Sequence, residues 1–418
     1  MRARLSRVRP SRVIAHMLLR RIRSGSLMVA EEGRAVVVFG AGAPRAIVHV
    51  RSPRAWRKLL RGSNGLAEAY ARQLWDSPDP TAVVRVAARN AHALDRLRTS
   101  FAAVLAPAQR VRALASRNTR RRRRRDIAAH YDLGNDLFEL MLDPTMSYSC
   151  AIFERPGVTL QEASLAKLEL VCEQLDLGPK DHLLEIGSGW GALALYAART
   201  RGCRVTTTTI SREQHVYTSE QVRRAGLQAR INVLLEDYRD LRGTYDKLVS
   251  IEMIEAVGWR HFGTFFECCS RLLAPDGAML LQAITIEDRA YEVEKASRSF
   301  MNTYIFPNGC LPSMGVIERA VKQRTDMRLA HLRDITPHYV QTLRHWRASF
   351  EHNAHRLAAL GYDERFRRIW RLYLAYCEAG FAERRISDVQ LLLAKPDWSA
   401  PAEARPSLTR ALSGAAGG

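Results

Sequence analysis

The chain has no apolar run approaching the ~20 residues that a membrane-crossing helix requires. It has no cysteine pair at CxxC spacing. The seven cysteines, Cys150, Cys172, Cys203, Cys268, Cys269, Cys310 and Cys377, are odd in number. That argues against structural zinc and a disulfide framework, and fits a reduced, cytoplasmic protein without a metal. Acid is also scarce: Asp and Glu total 43 against 64 Lys and Arg, a net charge of +21. A surplus of that size favours an anionic partner, whether nucleic acid, an acidic membrane surface or acidic small molecules, without choosing among them. Internal repeats are absent. The opening stretch "MRARLSRVRPSRVIAHMLLRRIRSG" lacks the long apolar core and small-residue cleavage site of a secretory signal. Read as a surface helix, it sets Arg21 on the side of Ile14, Met17 and Leu18.

What is present suffices for packing. An apolar share of 47% over 418 residues supports two domains. "SLMVA", "AVVVF" and "AIVHV" read as short strands joined by "EEG" and "GAGAP" turns, and a helical stretch broken at "SPDP" follows. Residues 1–95 therefore form a small α+β domain, and 96–125 a helical and basic linker. The linker ends in six consecutive arginines, Arg120–Arg125, which are either a solvated, self-repelling run or a contact for lipid or RNA phosphates.

From 126 to 396 apolar strand segments alternate with helical ones: "HLLEIGS" with "GALALYAART", "CRVTTTTI" with "SREQHVYTSEQVRRAG", then "YDKLVSIE", "HFGTFFECCSRLL" and "AMLLQAITI". This is the α/β pattern of a Rossmann-like parallel sheet with right-handed crossovers. A long helical insertion is expected after residue 287, running to "ISDVQLLLAKP", and a disordered tail over 397–418.

Gly187-Ser188-Gly189-Trp190-Gly191 lies between a strand and a helix, as a nucleotide-binding loop must. Its third glycine comes one residue early for a dinucleotide fingerprint, and Glu185 precedes it, which suits S-adenosylmethionine better than NAD. The second strand lacks the ribose-binding acid, ending "TTTTIS". After the third strand, "LEDYRD" offers Asp237 to an adenine amino group and Tyr238 as a stacking ring. The run "VSIEMIEAVGW" places Glu252 and Glu255 among apolar residues, where a carboxylate is costly without a partner.

With "HYDLGNDLF", "YSCA" and "YIFPNGCLPS", the chain resembles the cyclopropane fatty acid synthases from about Arg45 to Lys395. The resemblance implies a class I methyltransferase sheet with helical insertions, preceded by a small lipid-binding domain. It implies a homodimer on the inner face of the membrane. The expected activity is transfer of a methylene from S-adenosylmethionine to the cis double bond of unsaturated phospholipid chains, through a carbocation that bound bicarbonate deprotonates. Its bicarbonate cluster corresponds here to Cys150, Glu255, Gln282, Ile284 and Tyr339, with Cys150 and Ile284 acting through backbone groups and Tyr339 through its hydroxyl. Glu255 would orient the anion, and Glu252, where the resembling enzymes often have a small residue, would be structural. The cofactor set corresponds to Tyr148, Ser149, Gly187, Gly189, Thr209, Ile210, Gln214, Asp237 and Tyr238. Gln282 departs from the histidine of many members: it bonds an anion but cannot become cationic. That leaves open a methyl- or methylene-branched product in place of a ring. Cys150 has no paired base to make it a nucleophile, and His130 reads equally as a packing or a cofactor-side residue. Nucleic-acid methylation is the less favoured reading, since no Asn/Asp-Pro-Pro-aromatic motif and no nucleic-acid module is present.

Overall fold

The computed structural model describes residues 10–91, 134–296, 299–307 and 309–400. The whole of the linker with its arginine run, His130 and the tail beyond residue 400 lie outside the described residues.

The N-terminal unit comprises α1 (Pro10–Leu19), β1 (Gly25–Glu31), β2 (Val37–Ala41), β3 (Arg45–Val50), α2 (Arg54–Leu59), α3 (Gly62–Ala71), β4 (Trp75–Asp76) and α4 (Pro80–Arg89). Its four strands run in the order β2-β1-β3-β4, with β1 parallel to β3 and antiparallel to β2. Side chains alternate between faces along each strand. Leu27, Val29, Phe39 and Ala46 turn inward, while Met28, Val38 and Ile47 lie side by side on the exposed face. Helix α4 starts where it does because Asp79 accepts from the Ala82 N–H and Pro80 opens the first turn.

The second unit contains α5 (Asn135–Met141), α6 (Leu160–Gln174), β5 (His182–Ile186), α7 (Ala192–Arg201), β6 (Arg204–Thr209), α8 (Arg212–Arg224), β7 (Ile231–Leu235) and β8 (Tyr245–Ile251). It continues through α9 (Ile254–Val257), α10 (Phe262–Leu272), β9 (Leu273–Ile286), α11 (Asp288–Ala296), a π-helical turn at Met301–Ile305 and α12 (Met314–Arg324). It closes with β10 (Arg328–Asp334), α13 (Thr336–His352), α14 (Ala354–Ala359), α15 (Glu364–Ala382) and β11 (Ile386–Ala394). The seven strands run β10-β11-β9-β8-β5-β6-β7. The five from β5 to β9 are parallel, as the alternating pattern led one to expect. The remainder corrects the expectation of an all-helical insertion. β11 runs antiparallel to both β9 and β10, and β10 is a strand despite having no buried residue. Its segment RLAHLRD carries no apolar alternation, and only pairing with β11 makes it a strand.

Strand order reverses at β5, which has β6 on one side and β8 on the other. The loops after β5 and β8 therefore diverge and open a crevice at their carboxyl ends. Those two loops are residues 187–191 and 252–253.

The two units share one apolar core, through contacts of α15 with α3 and α4. Arg368 of α15 is buried at this junction. Its Nε donates to the Tyr70 carbonyl at 2.7 Å, its Nη2 to the Trp75 carbonyl at 3.3 Å, and its guanidinium lies 3.9 Å over the Tyr70 ring. Arg368→Met keeps the bulk but removes the side-chain donor to two buried carbonyls, of which that of Tyr70 still accepts from the Gln73 N–H, at about 1–3 kcal/mol in total. A lowered melting temperature is expected by calorimetry. Arg368→Lys recovers little of it, because one ammonium cannot reproduce the planar fork.

Candidate active site

Glu252 follows the last residue of β8. Its backbone is in the left-handed region, with φ of 47°, which costs a non-glycine residue of order 1 kcal/mol or more. Its carboxylate gathers three donors from three separate segments. The Cys150 N–H reaches Oε1 at 2.8 Å, the Gln282 Nε2 reaches the same oxygen at 2.7 Å, and the Tyr339 hydroxyl reaches Oε2 at 2.5 Å. These come from the "SYSC" loop, β9 and α13 respectively.

A polar chain in the sheet holds this arrangement in place. Gln282 and Gln390 stand opposite each other in the β9–β11 register. Gln390 donates to the Gln282 Oε1 at 3.0 Å, and Gln174 donates to the Gln390 Oε1 at 2.7 Å. The Gln282 amide is thereby oriented with its NH2 toward acid, and also donates to Asp388 Oδ2 at 3.1 Å. Asp388 lies two residues from Gln390, on the same face of β11. Asp388 and Glu252 are both buried acids, and a charge on either raises the cost of a charge on the other. Burial, then the charge of Glu252, raises the Asp388 proton affinity far above the usual carboxylate range. Asp388 therefore holds the proton of this pair and Glu252 the charge.

Glu255, in the first turn of α9, accepts from the Ile284 N–H on Oε1 at 2.6 Å. Its Oε2 is buried with no hydrogen-bond partner among the described residues. Burial and then the Glu252 charge push it up to about 8, so it is a neutral acid at neutral pH.

The sequence-derived cluster is therefore together, but arranged otherwise than expected. Cys150 meets it through its N–H, with its thiol turned onto the Ala151 carbonyl. Gln282 and Tyr339 donate to Glu252, and Ile284 to Glu255. The donors assigned to a bicarbonate ion are occupied by side chains of the protein itself, so these residues do not fit a separate bicarbonate bound at their centre. Glu252, expected to be structural, is the hub.

The glycine loop abuts this hub. A Cβ on Gly187, whose φ is 100°, would stand 3.0 Å from the Met253 side chain, whereas one on Gly189 would meet nothing within 4 Å. The loop is thus packed against the acid-bearing turn on one side and open on the other, where a ligand can approach the backbone. Tyr148 bonds the Tyr373 hydroxyl at 2.7 Å, and Ser149 accepts from Lys167 at 3.1 Å. Thr209 donates to the Gln214 Oε1 at 2.8 Å beside half-buried Ile210. Asp237 is engaged by Arg239, whose Nε lies at 2.7 Å. Tyr238 packs edge-on against Phe265 and leaves its buried hydroxyl without a hydrogen-bond partner among the described residues. Glu185 is sequestered, accepting from Thr207 at 2.6 Å, and burial lifts it to about 7. These features fit S-adenosylmethionine: an open glycine turn, an unpaired hydroxyl after the third strand and buried acids across the crevice.

Sequence reasoning passed over Asp388, Gln390 and Lys167. Lys167 is buried on α6 beside Ser149, and burial lowers its proton affinity while Glu252 and Glu185 raise it. Its signal was a lysine in register with Ala163, Ser164, Val171 and Cys172 on the buried face of one helix. Asp388 and Gln390 were signalled by alternation, two polar residues facing one way in a mostly apolar strand.

The family model described as mycolic acid cyclopropane synthetase matches residues 118–391. The chain is 37% identical to tuberculostearic acid methyltransferase UfaA1 of Mycobacterium tuberculosis, over 89% of this chain and 88% of that one. It is 36% identical to the cyclopropane-fatty-acyl-phospholipid synthase of Escherichia coli, over 86% and 89%. Among solved structures, the mycolic acid cyclopropane synthase CmaA1 complexed with SAH and CTAB superposes with a TM-score of 0.61 at 32% identity, covering 65% of this chain and 98% of that one.

Proposed function

The chain belongs to the mycolic acid cyclopropane synthetase family, and on that premise we propose that it adds a one-carbon unit to the cis double bond of an unsaturated phospholipid acyl chain, leaving a cyclopropane ring. It is an S-adenosylmethionine-dependent methyltransferase of the cyclopropane synthase type. The observation that carries the reading is the contact between the glycine turn and the acid hub: Gly187 packs on Met253, the residue after Glu252.

S-adenosylmethionine, when bound, supplies an electrophilic methyl group. In this reading Gly187, Gly189, Tyr148 and Ser149 line its amino-acid end, Thr209, Ile210 and Gln214 its ribose, and Asp237 and Tyr238 its adenine. The alkene is a weak nucleophile and needs a dry, close-fitting site. The buried rings of Phe138, Trp190 and Trp346 around Tyr148 favour such a site. No bicarbonate step enters the reading, since its donors are already engaged.

The basic surface suits an anionic membrane. Val13, Ile14, Met17 and Leu18 of α1 are all exposed, next to exposed Arg20 and Arg21. An open cleft of about 520 Å³ on the same unit is lined by Arg54, Arg57, Lys58 and Arg72. Both features support peripheral attachment through lipid headgroups. No helix among the described residues is long and apolar enough to cross a membrane.

A second reading, a methylene-branched chain formed after a hydride shift in the carbocation, is favoured by the 37% identity to a tuberculostearic acid methyltransferase and by Gln282. One experiment tests both. Phospholipid vesicles with oleoyl chains and labelled S-adenosylmethionine are expected to yield labelled lipid heavier by one methylene. Diimide reduction then separates the products: a ring is unchanged, while a branching methylene gains two hydrogens. Unlabelled lipid would overturn the proposal.

A further inference from the structure

Resting on that reading, we propose that Glu252 is the base of the reaction: its carboxylate is built into the site in place of a dissociable bicarbonate ion, and the enzyme works without one.

Three observations carry this. The first is convergence: an amide N–H, a carboxamide and a phenol, drawn from positions 102, 30 and 87 residues away, all point at one carboxylate. Three donors on one buried anion make an anion-binding site, and here the chain supplies the anion. The second is orientation. The Gln390–Gln282 bond fixes the carboxamide so that its NH2, not its oxygen, faces the acid. A neutral donor suffices once the anion is covalently attached, which accounts for glutamine where a cation would otherwise help retain a free ion. The third is backbone geometry. Position 252 is left-handed, where glycine is at ease and glutamate is not. A side chain that tolerates this cost while making three bonds is held there for its carboxylate.

The step balances without a co-reactant. Methyl transfer to one alkene carbon leaves a cation on the other. Glu252 takes one proton from the new methyl group, the C–H electron pair forms the second carbon–carbon bond, and the ring closes. Glu252 becomes a neutral acid and returns its proton to solvent on product release. A carboxylate at this burial is basic enough to take a proton, and tethering by its own side chain keeps it from leaving to trap the cation.

The test uses the full-length protein in carbon-dioxide-scrubbed buffer, with and without added bicarbonate, reading label transfer to oleoyl vesicles, together with NMR line broadening of 13C-bicarbonate. The parent enzyme is expected to run at the same rate in both buffers and to leave the bicarbonate line sharp. Glu252→Gln, in which the Tyr339 hydroxyl turns to accept, is expected to lose about 10²–10⁴-fold in rate while still binding S-adenosylhomocysteine. Glu252→Gly is expected to broaden the bicarbonate line, since it frees the three donors on a backbone that glycine prefers. A parent enzyme that slows on scrubbing and recovers with bicarbonate, or that broadens the line, overturns the inference, as does a Glu252→Gln variant with parental rate. If the parent transfers no label at all, the function fails, and the bicarbonate line still decides what occupies the three donors.

Discussion

Glu255→Gln is expected to melt at a higher temperature than the parent at pH 8.5, to match it near pH 4.5, and to turn over about 100-fold more slowly. The stability part follows from proton linkage. Glu255 is pushed up to about 8 in the folded protein from an ordinary value of 4.5. Below the lower value both states hold the proton and folding costs nothing. Between the two values the unfolded chain has released its proton while the folded one keeps it, so stability falls as pH rises, by about 1.4 kcal/mol per unit. Above the upper value the full penalty, on the order of 5 kcal/mol, is in place. Glutamine has no such penalty, so the difference in melting temperature between the two proteins should widen steadily from pH 5 to pH 8. The cause of the penalty is first burial and then the charge on Glu252, and the unpartnered Oε2 marks the same spot.

The loss of turnover follows from the same coupling. Two acids that repel each other titrate as a pair. When Glu252 takes a proton from the substrate, the charge that kept Glu255 protonated is gone, and Glu255 then releases its own proton more readily. The pair so returns to its resting charge. An amide cannot do this, and Glu252 must then discharge alone in a buried site. S-adenosylhomocysteine affinity, measured by calorimetry, should be unchanged, which separates this effect from loss of the fold. Stability given up at a buried acid in return for chemistry is a common arrangement at active sites.

The parallel strands were legible because each is a short apolar run closed by a turn, and the glycine loop stands where the first of them meets a helix. β10 was illegible for the opposite reason: all seven of its residues are exposed, and its pairing partner lies about sixty residues further along. In the site, Cys150, Gln282 and Tyr339 were picked out by motif, yet their target was not. Nothing local says that a loop amide, a strand carboxamide and a helix phenol meet at residue 252 instead of on a free ion. That fact depends on the register Gln390↔Gln282 and on the left-handed turn at the end of β8. Asp388 escaped notice because a lone acid in a strand ordinarily faces water, whereas here its side chain meets Gln282 in the interior and the start of α13, at Thr336, bonds its backbone.

Tyr339→Phe should shift the acidic limb of the pH–rate profile to higher pH and cut the rate at neutral pH by about 10- to 100-fold. The ring itself is secured by stacking on Phe381, with centroids 4.3 Å apart and planes 20° apart, so the change removes the hydroxyl and little else. That hydroxyl bonds the Glu252 Oε2, and in holding down the proton affinity of Glu252 it works against burial, the larger influence, which raises it. Without it the charged form loses one of three donors and protonates at higher pH. A base acts only when deprotonated, so the enzyme must be taken to higher pH to recover the same fraction of active sites. Two results separate this from other roles for the residue. A tyrosine needed only for packing would lower the rate without moving the limb. A tyrosine that held a dissociable anion would give a variant rescued by added bicarbonate. The expected variant regains much of its rate at alkaline pH and ignores bicarbonate, because the group it has weakened is still attached to the chain.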